Sequence, residues 1–239
     1  MATEWVSLYN NQVARDTVKT WRWFDAAGPD VTKWVLNANN IPLASSTALS
    51  GYTLTAVGTS PVSLVAGADG GAVLITTGGT ENNGAQFQPI TEAFYFASKW
   101  PCYFGCKIQI SDATQSDFLA GLTITDTSAA SGVSDGVYFW SVDGTAVTNF
   151  GTAKGSVTAD TAAKTMVDAT DTTFEWFFDG TTISAYVDGV LATTTAYSAT
   201  TVPNTEYLTP MLAFLTGAGA AKTMTIYWAR AIQIRQAVL

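Results

Sequence analysis

The sequence contains no histidine and only two cysteines in 239 residues. Without histidine, neither a Ser-His-Asp triad nor a Cys-His pair can form, and the usual zinc sites lose their nitrogen ligand. Cys102 and Cys106 are four positions apart, so on one strand their Cα atoms would lie about 13 Å apart. A disulfide needs Cα atoms within about 7 Å. We therefore expect two small, buried hydrophobic side chains and no disulfide.

Charge is also scarce, because only 13% of the residues are charged and the net charge is −8. The 11 lysines and arginines are scattered singly, whereas nucleic-acid binding needs them clustered to neutralise phosphates. The longest apolar stretch, around 211–221, is interrupted by polar and glycine residues and is too short to span a bilayer. The first residues show no signal peptide. These patterns predict synthesis in the cytoplasm, with neither nucleic acid nor membrane as a partner.

Closely spaced acids are missing along the candidate strands. None of the five glutamates has another acid two positions away: Glu4, Glu81, Glu92, Glu175 and Glu206. Glycoside hydrolysis needs two carboxyl groups about 5–9.5 Å apart, and sandwich enzymes often supply them from alternate residues of one strand. The sequence thus predicts no enzyme and no catalytic residues. Two acids distant in sequence that meet in the fold would instead indicate a glycoside hydrolase.

The aspartates are concentrated in turn-like segments, where a carboxylate commonly bonds its own backbone. Asp168 and Asp171 are the best starting point for a calcium site, which would need further oxygen ligands from neighbouring loops. We predict no cofactor and no metal, with calcium at these two residues as the minor alternative.

Hydrophobic residues make up 47% of the chain, enough for a sizeable core. Alternating patterns predict strands, as in 102–110, where the even positions are apolar. Three strands separated by Asp179-Gly180 and Asp188-Gly189 predict an antiparallel meander over 172–195, and Asp143-Gly144 predicts a hairpin with a type I′ turn. Trp140 and Trp176 are expected in the core. The pattern predicts an all-β, two-sheet antiparallel jelly-roll sandwich, with residues 20–239 as a single domain.

Two features interrupt this pattern. Arg230 shares an apolar stripe of the last strand with Met224, Ile226 and Trp228, so it needs an acceptor, either within the fold or from a ligand or subunit. Residues 1–19 lack clean alternation yet carry four large apolar side chains that a solvated tail would not need: Trp5, Val6, Leu8 and Tyr9. We predict that 1–19 form an N-terminal arm or extension in which these four residues contact a neighbouring subunit.

An ordered set of motifs extends over residues 85–236. The set comprises LAGLTITD at 119–126, SDGVYF at 134–139, TFEWFFDG at 173–180, ISAYVDG at 183–189, LTPM at 208–211 and TIYWA at 225–229. This order resembles the concanavalin A-like (laminin-G-like) jelly roll. It is especially similar to the version in structural proteins of tailed-phage virions, of the head decoration type.

The resemblance implies a non-enzymatic bacteriophage virion protein that binds the major capsid protein and stabilises the head lattice. Such a subunit would be made in the host cytoplasm and located on the capsid surface, as a homo-oligomer; we expect a trimer. The alternative is a carbohydrate-binding, lectin-like module, which would present tryptophan or tyrosine side chains around a sheet.

Overall fold

The computed structural model describes residues 2–41, 43–45, 48–66 and 71–235, so Met1 and 236–239, at the ends of the two predicted ranges, lie outside it. The first strands are β1 (Thr3–Leu8), β2 (Asn11–Asp16), β3 (Trp23–Ala27), β4 (Val31–Leu36), β5 (Leu43–Ser45), β6 (Ala48–Leu49), β7 (Tyr52–Val57), β8 (Val62–Val65), β9 (Ala72–Thr76), β10 (Gly84–Pro89) and β11 (Phe94–Tyr95). The later strands are β12 (Cys102–Ile110), β13 (Ser116–Thr123), β14 (Gly136–Ser141), β15 (Val147–Lys154), β16 (Val157–Thr165), β17 (Thr172–Phe178), β18 (Thr182–Val187), β19 (Val190–Ala196), β20 (Tyr207–Thr216) and β21 (Thr223–Ile234).

Two large antiparallel sheets form the sandwich. The front sheet has the order β16-β15-β14-β13-β20-β10-β7, with β11 paired to β20. The back sheet has the order β19-β18-β17-β12-β21-β9-β8, with β4 paired to β21. β5 pairs with β6, and β1, β2 and β3 form a separate N-terminal sheet. In the described residues, no helix is both long and apolar enough to cross a membrane.

The hydrophobic core lies between the two large sheets. Phe139 of the front sheet contacts Phe174 of the back sheet, with ring centroids 4.9 Å apart. Trp176 is fully buried and stacks on Phe104, as expected for a core residue. Both cysteines are buried and free, and burial raises the pKa of each thiol well above its usual value. The predicted two-sheet sandwich and the predicted burial of its two cysteines are confirmed.

The predicted meander is confirmed as β17, β18 and β19. Asp188 and Gly189 both have positive φ, 51° and 76°, as a type I′ turn requires. The predicted hairpin at Asp143-Gly144 also forms, between β14 and β15. Its predicted turn type is wrong, because only Gly144 of the pair has positive φ (81°). A five-residue connection, 142–146, replaces the tight turn.

A bulge in the pairing of β12 with β21 changes which face the end of the chain presents. The register shifts between Lys107 and Ile108, so Ile226 faces the core whereas Trp228 faces outward. The single apolar stripe expected for β21 is therefore wrong. Arg230 lies outside the core, 4.1 Å from the centre of the Trp228 ring, and donates to the Phe24 carbonyl at 3.1 Å. Its acceptor is within the fold.

The N-terminal sheet covers the outer face of the back sheet. Val13 and Trp23 are buried against Tyr103 and Ile232 of the back sheet. Because β1 and β2 share a sheet with β3, this sheet extends across the predicted boundary between 19 and 20. In the part of the chain that the structure describes, no third sheet lies on the outer face of the front sheet, where the segment 124–135 packs instead.

Candidate functional site

A pocket of about 340 Å³, here called the front pocket, opens on the outer face of the front sheet. Its floor includes Leu119 of β13 with Tyr138 and Trp140 of β14. One wall is the segment 124–135, which contains a short 3-10 helix at Ala129–Ser131. On the opposite side the pocket reaches Asp160 in the edge strand β16.

The two aromatic residues of the floor share a face because they are two positions apart on one strand. Core residues alternate with them, since Val137 and Phe139 point into the sandwich. Trp140 was expected in the core and lies instead on the outer face, half-buried. Tyr138 is almost fully buried beside it. The prediction failed because alternation shows that neighbouring residues face opposite ways but cannot say which face is the core.

Glycine on the adjacent strand makes room for this aromatic pair. A Cβ at Gly151 would lie 2.8 Å from a ring carbon of Tyr138 and 2.6 Å from a carboxylate oxygen of Asp160. Any larger residue at 151 would push the ring or the carboxylate away. The Tyr138 ring therefore extends over β15 towards the edge strand.

Asp160 fixes the orientation of the tryptophan. The Trp140 indole N–H donates to Asp160 Oδ1 at 2.8 Å, and Asp160 itself is exposed. Burial raises the pKa of Tyr138, and the nearby Asp160 charge adds to the effect, so its hydroxyl stays protonated and able to donate. The site combines an oriented aromatic surface with a hydroxyl and an open carboxylate.

The chemistry of the front pocket suits a ligand with both apolar faces and hydroxyl groups. Ser156 and Thr158 add side-chain hydroxyls near Asp160. Among the described residues that line the pocket, none is positively charged. Mostly apolar pockets with a few placed polar groups are typical of small-molecule sites.

Asp117 lies beside the front pocket and contacts a second acidic residue, Asp143. Asp117 has the same parity on β13 as Leu119 and so lies on the outer face. The Asp143 backbone N–H, 26 residues away in sequence, donates to Asp117 Oδ1 at 2.5 Å. Burial raises the pKa of Asp117, and the charges of Asp143 and Glu81 raise it further. A search for acids two apart on one strand could not find this pair.

The four predicted subunit-contact residues lie in the N-terminal sheet. Val6 and Leu8 pack against the cluster that joins this sheet to the back sheet. Trp5 and Tyr9 are 57% and 43% exposed, so they are the two of the four available to a neighbour. Their role in subunit contact stays a prediction.

The two aspartates considered for calcium have protein partners. Asp168 Oδ1 accepts from the Ala113 N–H at 2.8 Å. Asp171 pairs with Lys107 at 2.8 Å. No group of three or more potential metal-ligating His, Cys, Asp or Glu side chains occurs in the described part of the chain. Calcium at Asp168 and Asp171 stays a prediction.

Comparison with known proteins gives similarity in structure but not in sequence: no family model and no curated protein matches the chain. SCLam, a non-specific endo-β-1,3(4)-glucanase from family GH16, is 11% identical with a TM-score of 0.57, over 87% of this chain and 93% of that one. Bacillus licheniformis β-glucanase is 14% identical with a TM-score of 0.55, over 83% and 97%. The endo-β-1,4-glucuronan lyase from Trichoderma reesei is 12% identical with a TM-score of 0.55, over 76% and 91%.

These similarities confirm the jelly-roll part of the resemblance, and at such low identity they show the fold alone. They also correct the prediction that the chain is not an enzyme, because the solved structures sharing its fold include glucanases and a lyase. The exclusion relied on acids within one strand, whereas a fold can bring together acids from different segments, as it does for Asp117 and Asp143. The head decoration type stays a prediction.

Proposed function

We propose that the protein binds a neutral polysaccharide in the front pocket. The observation that carries this proposal is the Trp140 ring, half-buried beside Tyr138 and held by its hydrogen bond to Asp160. A sugar ring presents an apolar C–H face that can lie on an aromatic side chain while its hydroxyls reach polar groups at the rim. Tryptophan and tyrosine suit such mixed surfaces because each joins an apolar body to a polar group.

The fixed geometry of the site supports affinity. A side chain that is already oriented loses little conformational freedom when a ligand binds. Trp140 is restrained at its indole nitrogen, and Tyr138 lies over Gly151. The pocket therefore needs little ordering before a sugar can stack.

Charge favours a neutral ligand. The chain carries a net charge of −8, and Asp160 adds a carboxylate at the rim without a basic residue in the lining to offset it. An acidic sugar such as a glucuronate would be repelled, since like charges disfavour association. We propose a neutral β-glucan, the polymer named for the two glucanases above, over a glucuronan.

The test is calorimetric titration of the protein with mixed-linkage β-1,3/1,4-glucan and with β-1,4-glucuronan. We expect binding to the glucan, weaker binding to the glucuronan, and a loss of about tenfold or more in glucan affinity for Trp140→Ala, equivalent to about 1.4 kcal/mol. Trp5→Ala is the matched control, because Trp5 is an exposed tryptophan in the N-terminal sheet.

Equal losses from the two tryptophan variants, or no binding of either polymer, would contradict the proposal. Release of reducing ends from the same glucan, measured in parallel, determines whether binding leads to cleavage.

A second candidate is the head decoration role that the sequence resemblance implies, with the major capsid protein as partner. The observation in its favour is the pair of exposed aromatic residues, Trp5 and Tyr9, on the N-terminal sheet. Exposed aromatic residues are enriched at protein interfaces. The two candidate functions use opposite sides of the sandwich, so a decoration subunit could also bind a polysaccharide.

A further inference from the structure

The segment 124–135 forms a wall across the outer face of the front sheet. Ala129 and Val133 are buried against Leu119 of β13 and against Met211 and Ala213 of β20. These contacts lie near the middle of the sheet, because β13 and β20 are adjacent central strands. The wall therefore fills the centre of a face that would otherwise be open from β16 to β7.

Two glutamines of β10 hold this wall in place. The side-chain amides of Gln86 and Gln88 both donate to the Asp126 carbonyl, at 2.6 and 2.8 Å. Their side-chain oxygens accept from the backbone N–H groups of Ala129 and Asp126, at 3.1 Å each. Both glutamines are buried, and buried bonds of this kind are costly to break. The wall is a fixed part of the fold.

A second cavity lies on the far side of the wall. It has a volume of about 180 Å³ and is lined by Thr55, Gly84 and Leu215, among others. Ala130 and Ser131 line both this cavity and the front pocket. These two residues of the 3-10 helix therefore lie between the second cavity and the front pocket.

We propose that the wall makes the front pocket a site for the end of a polysaccharide chain and excludes internal segments. This inference rests on the proposed function. A glycan lying on Trp140 and continuing across the strands towards β7 would meet the segment Ala129–Ser131. Only a chain that terminates at the wall can fill the pocket, whereas an internal segment needs an exit on both sides.

The experiment uses mixed-linkage β-1,3/1,4-glucan cut by partial acid hydrolysis into fractions of decreasing mean length. Equal masses of each fraction contain increasing numbers of chain ends. Binding of the wild-type protein per mass of glucan should rise in proportion to the number of ends, down to fragments that just fill the pocket. The same binding per mass at every length would overturn the inference and leave the proposed function standing, while no binding of any fraction would overturn both.

A wall-shortened variant, with Gly-Gly in place of residues 127–132, tests the cause of the preference. We expect it to bind the uncut glucan about tenfold more tightly than the wild type, which corresponds to about 1.4 kcal/mol. An end preference unchanged in a folded variant would show that the wall does not cause it. If the variant does not fold, the length series on the wild-type protein still decides between chain ends and internal segments.

Discussion

Asp117 is a buried carboxyl whose charged neighbours, Asp143 and Glu81, are also acids. Its pKa is raised in the folded protein above the value of about 3.9 usual for an unfolded chain. Between those two pKa values the folded state binds more protons than the unfolded state. The contribution of Asp117 to the free energy of unfolding is therefore largest at low pH and falls as pH rises.

We accordingly expect Asp117→Asn to raise the free energy of unfolding at pH 7 relative to the wild type, and to have less effect at pH 3. An amide oxygen can still accept the Asp143 N–H, so the hydrogen bond is kept. Urea unfolding at the two pH values measures the difference.

Asp112→Asn is the control, because its effect on the free energy of unfolding at pH 7 should have the opposite sign. Its hydrogen bond with Lys222 lowers the pKa of Asp112, so that variant should lose stability at pH 7 more than at pH 3. If Asp117→Asn has the same effect at both pH values, Asp117 does not titrate abnormally.

At the scale of elements, one buried ion pair joins the N-terminal sheet to the back sheet. Arg22, between β2 and β3, donates through Nε to Glu175 Oε1 at 2.6 Å and pairs with the second carboxylate oxygen as well. Tyr103 donates to the same carboxylate at 2.8 Å. Glu175 is fully buried, so its charge is tolerated only with these partners.

Arg22→Leu should lower the free energy of unfolding by about 3–5 kcal/mol, because it leaves the buried Glu175 carboxylate unpaired. The double variant Arg22→Leu/Glu175→Gln removes that charge and should be more stable than Arg22→Leu alone. Reversible urea unfolding of the two single variants and the double variant gives the coupling energy. If the two single changes in the free energy of unfolding simply add in the double variant, the buried Glu175 carboxylate does not depend on Arg22 for its stability.

At the scale of the whole molecule, the sandwich has two unlike outer surfaces. The back carries the N-terminal sheet, with Trp5 and Tyr9 exposed, and the front carries the pocket. Removing exposed side chains changes the stability of a monomer by only about 0.5 kcal/mol. Subunit contact can therefore be tested separately from folding.

The double variant Trp5→Ser/Tyr9→Asn should keep the wild-type melting temperature and reduce self-association and capsid binding, if the decoration role holds. Asparagine suits position 9 because the backbone there has a positive φ of 49°. Analytical ultracentrifugation and a capsid co-sedimentation assay give the two measurements. Trp140→Ala, on the opposite surface, should leave both unchanged, and assembly that is unaffected by the double variant would contradict the contact role.

The sequence by itself determined several strands between 102 and 234, the meander and the burial of the cysteines, but not the N-terminal strands β1 and β2. Side chains alternate between the two faces of a strand, so Cys102, Cys106 and Phe104 had to share a face, and the Asp188-Gly189 dipeptide fixed a tight turn. The low charge and the missing histidines also limited the available chemistry. All of these are properties of short segments, which is why composition and spacing were enough.

Only the tertiary structure decided which face of each strand is buried and which distant residues meet. The Trp140 indole donates a hydrogen bond to Asp160, 20 residues further along the chain. The Asp143 backbone N–H donates to Asp117, 26 residues earlier. The first contact depends on the pairing of β14, β15 and β16, and the second on the five-residue β14–β15 connection that contains Asp143. The bulge opposite Lys107 and Ile108 likewise changes which residues of β21 face the core, so that Trp228 faces outward although Ile226 faces inward. Packing across the whole sandwich sets the register between strands. That register cannot be predicted from the spacing of residues along the chain.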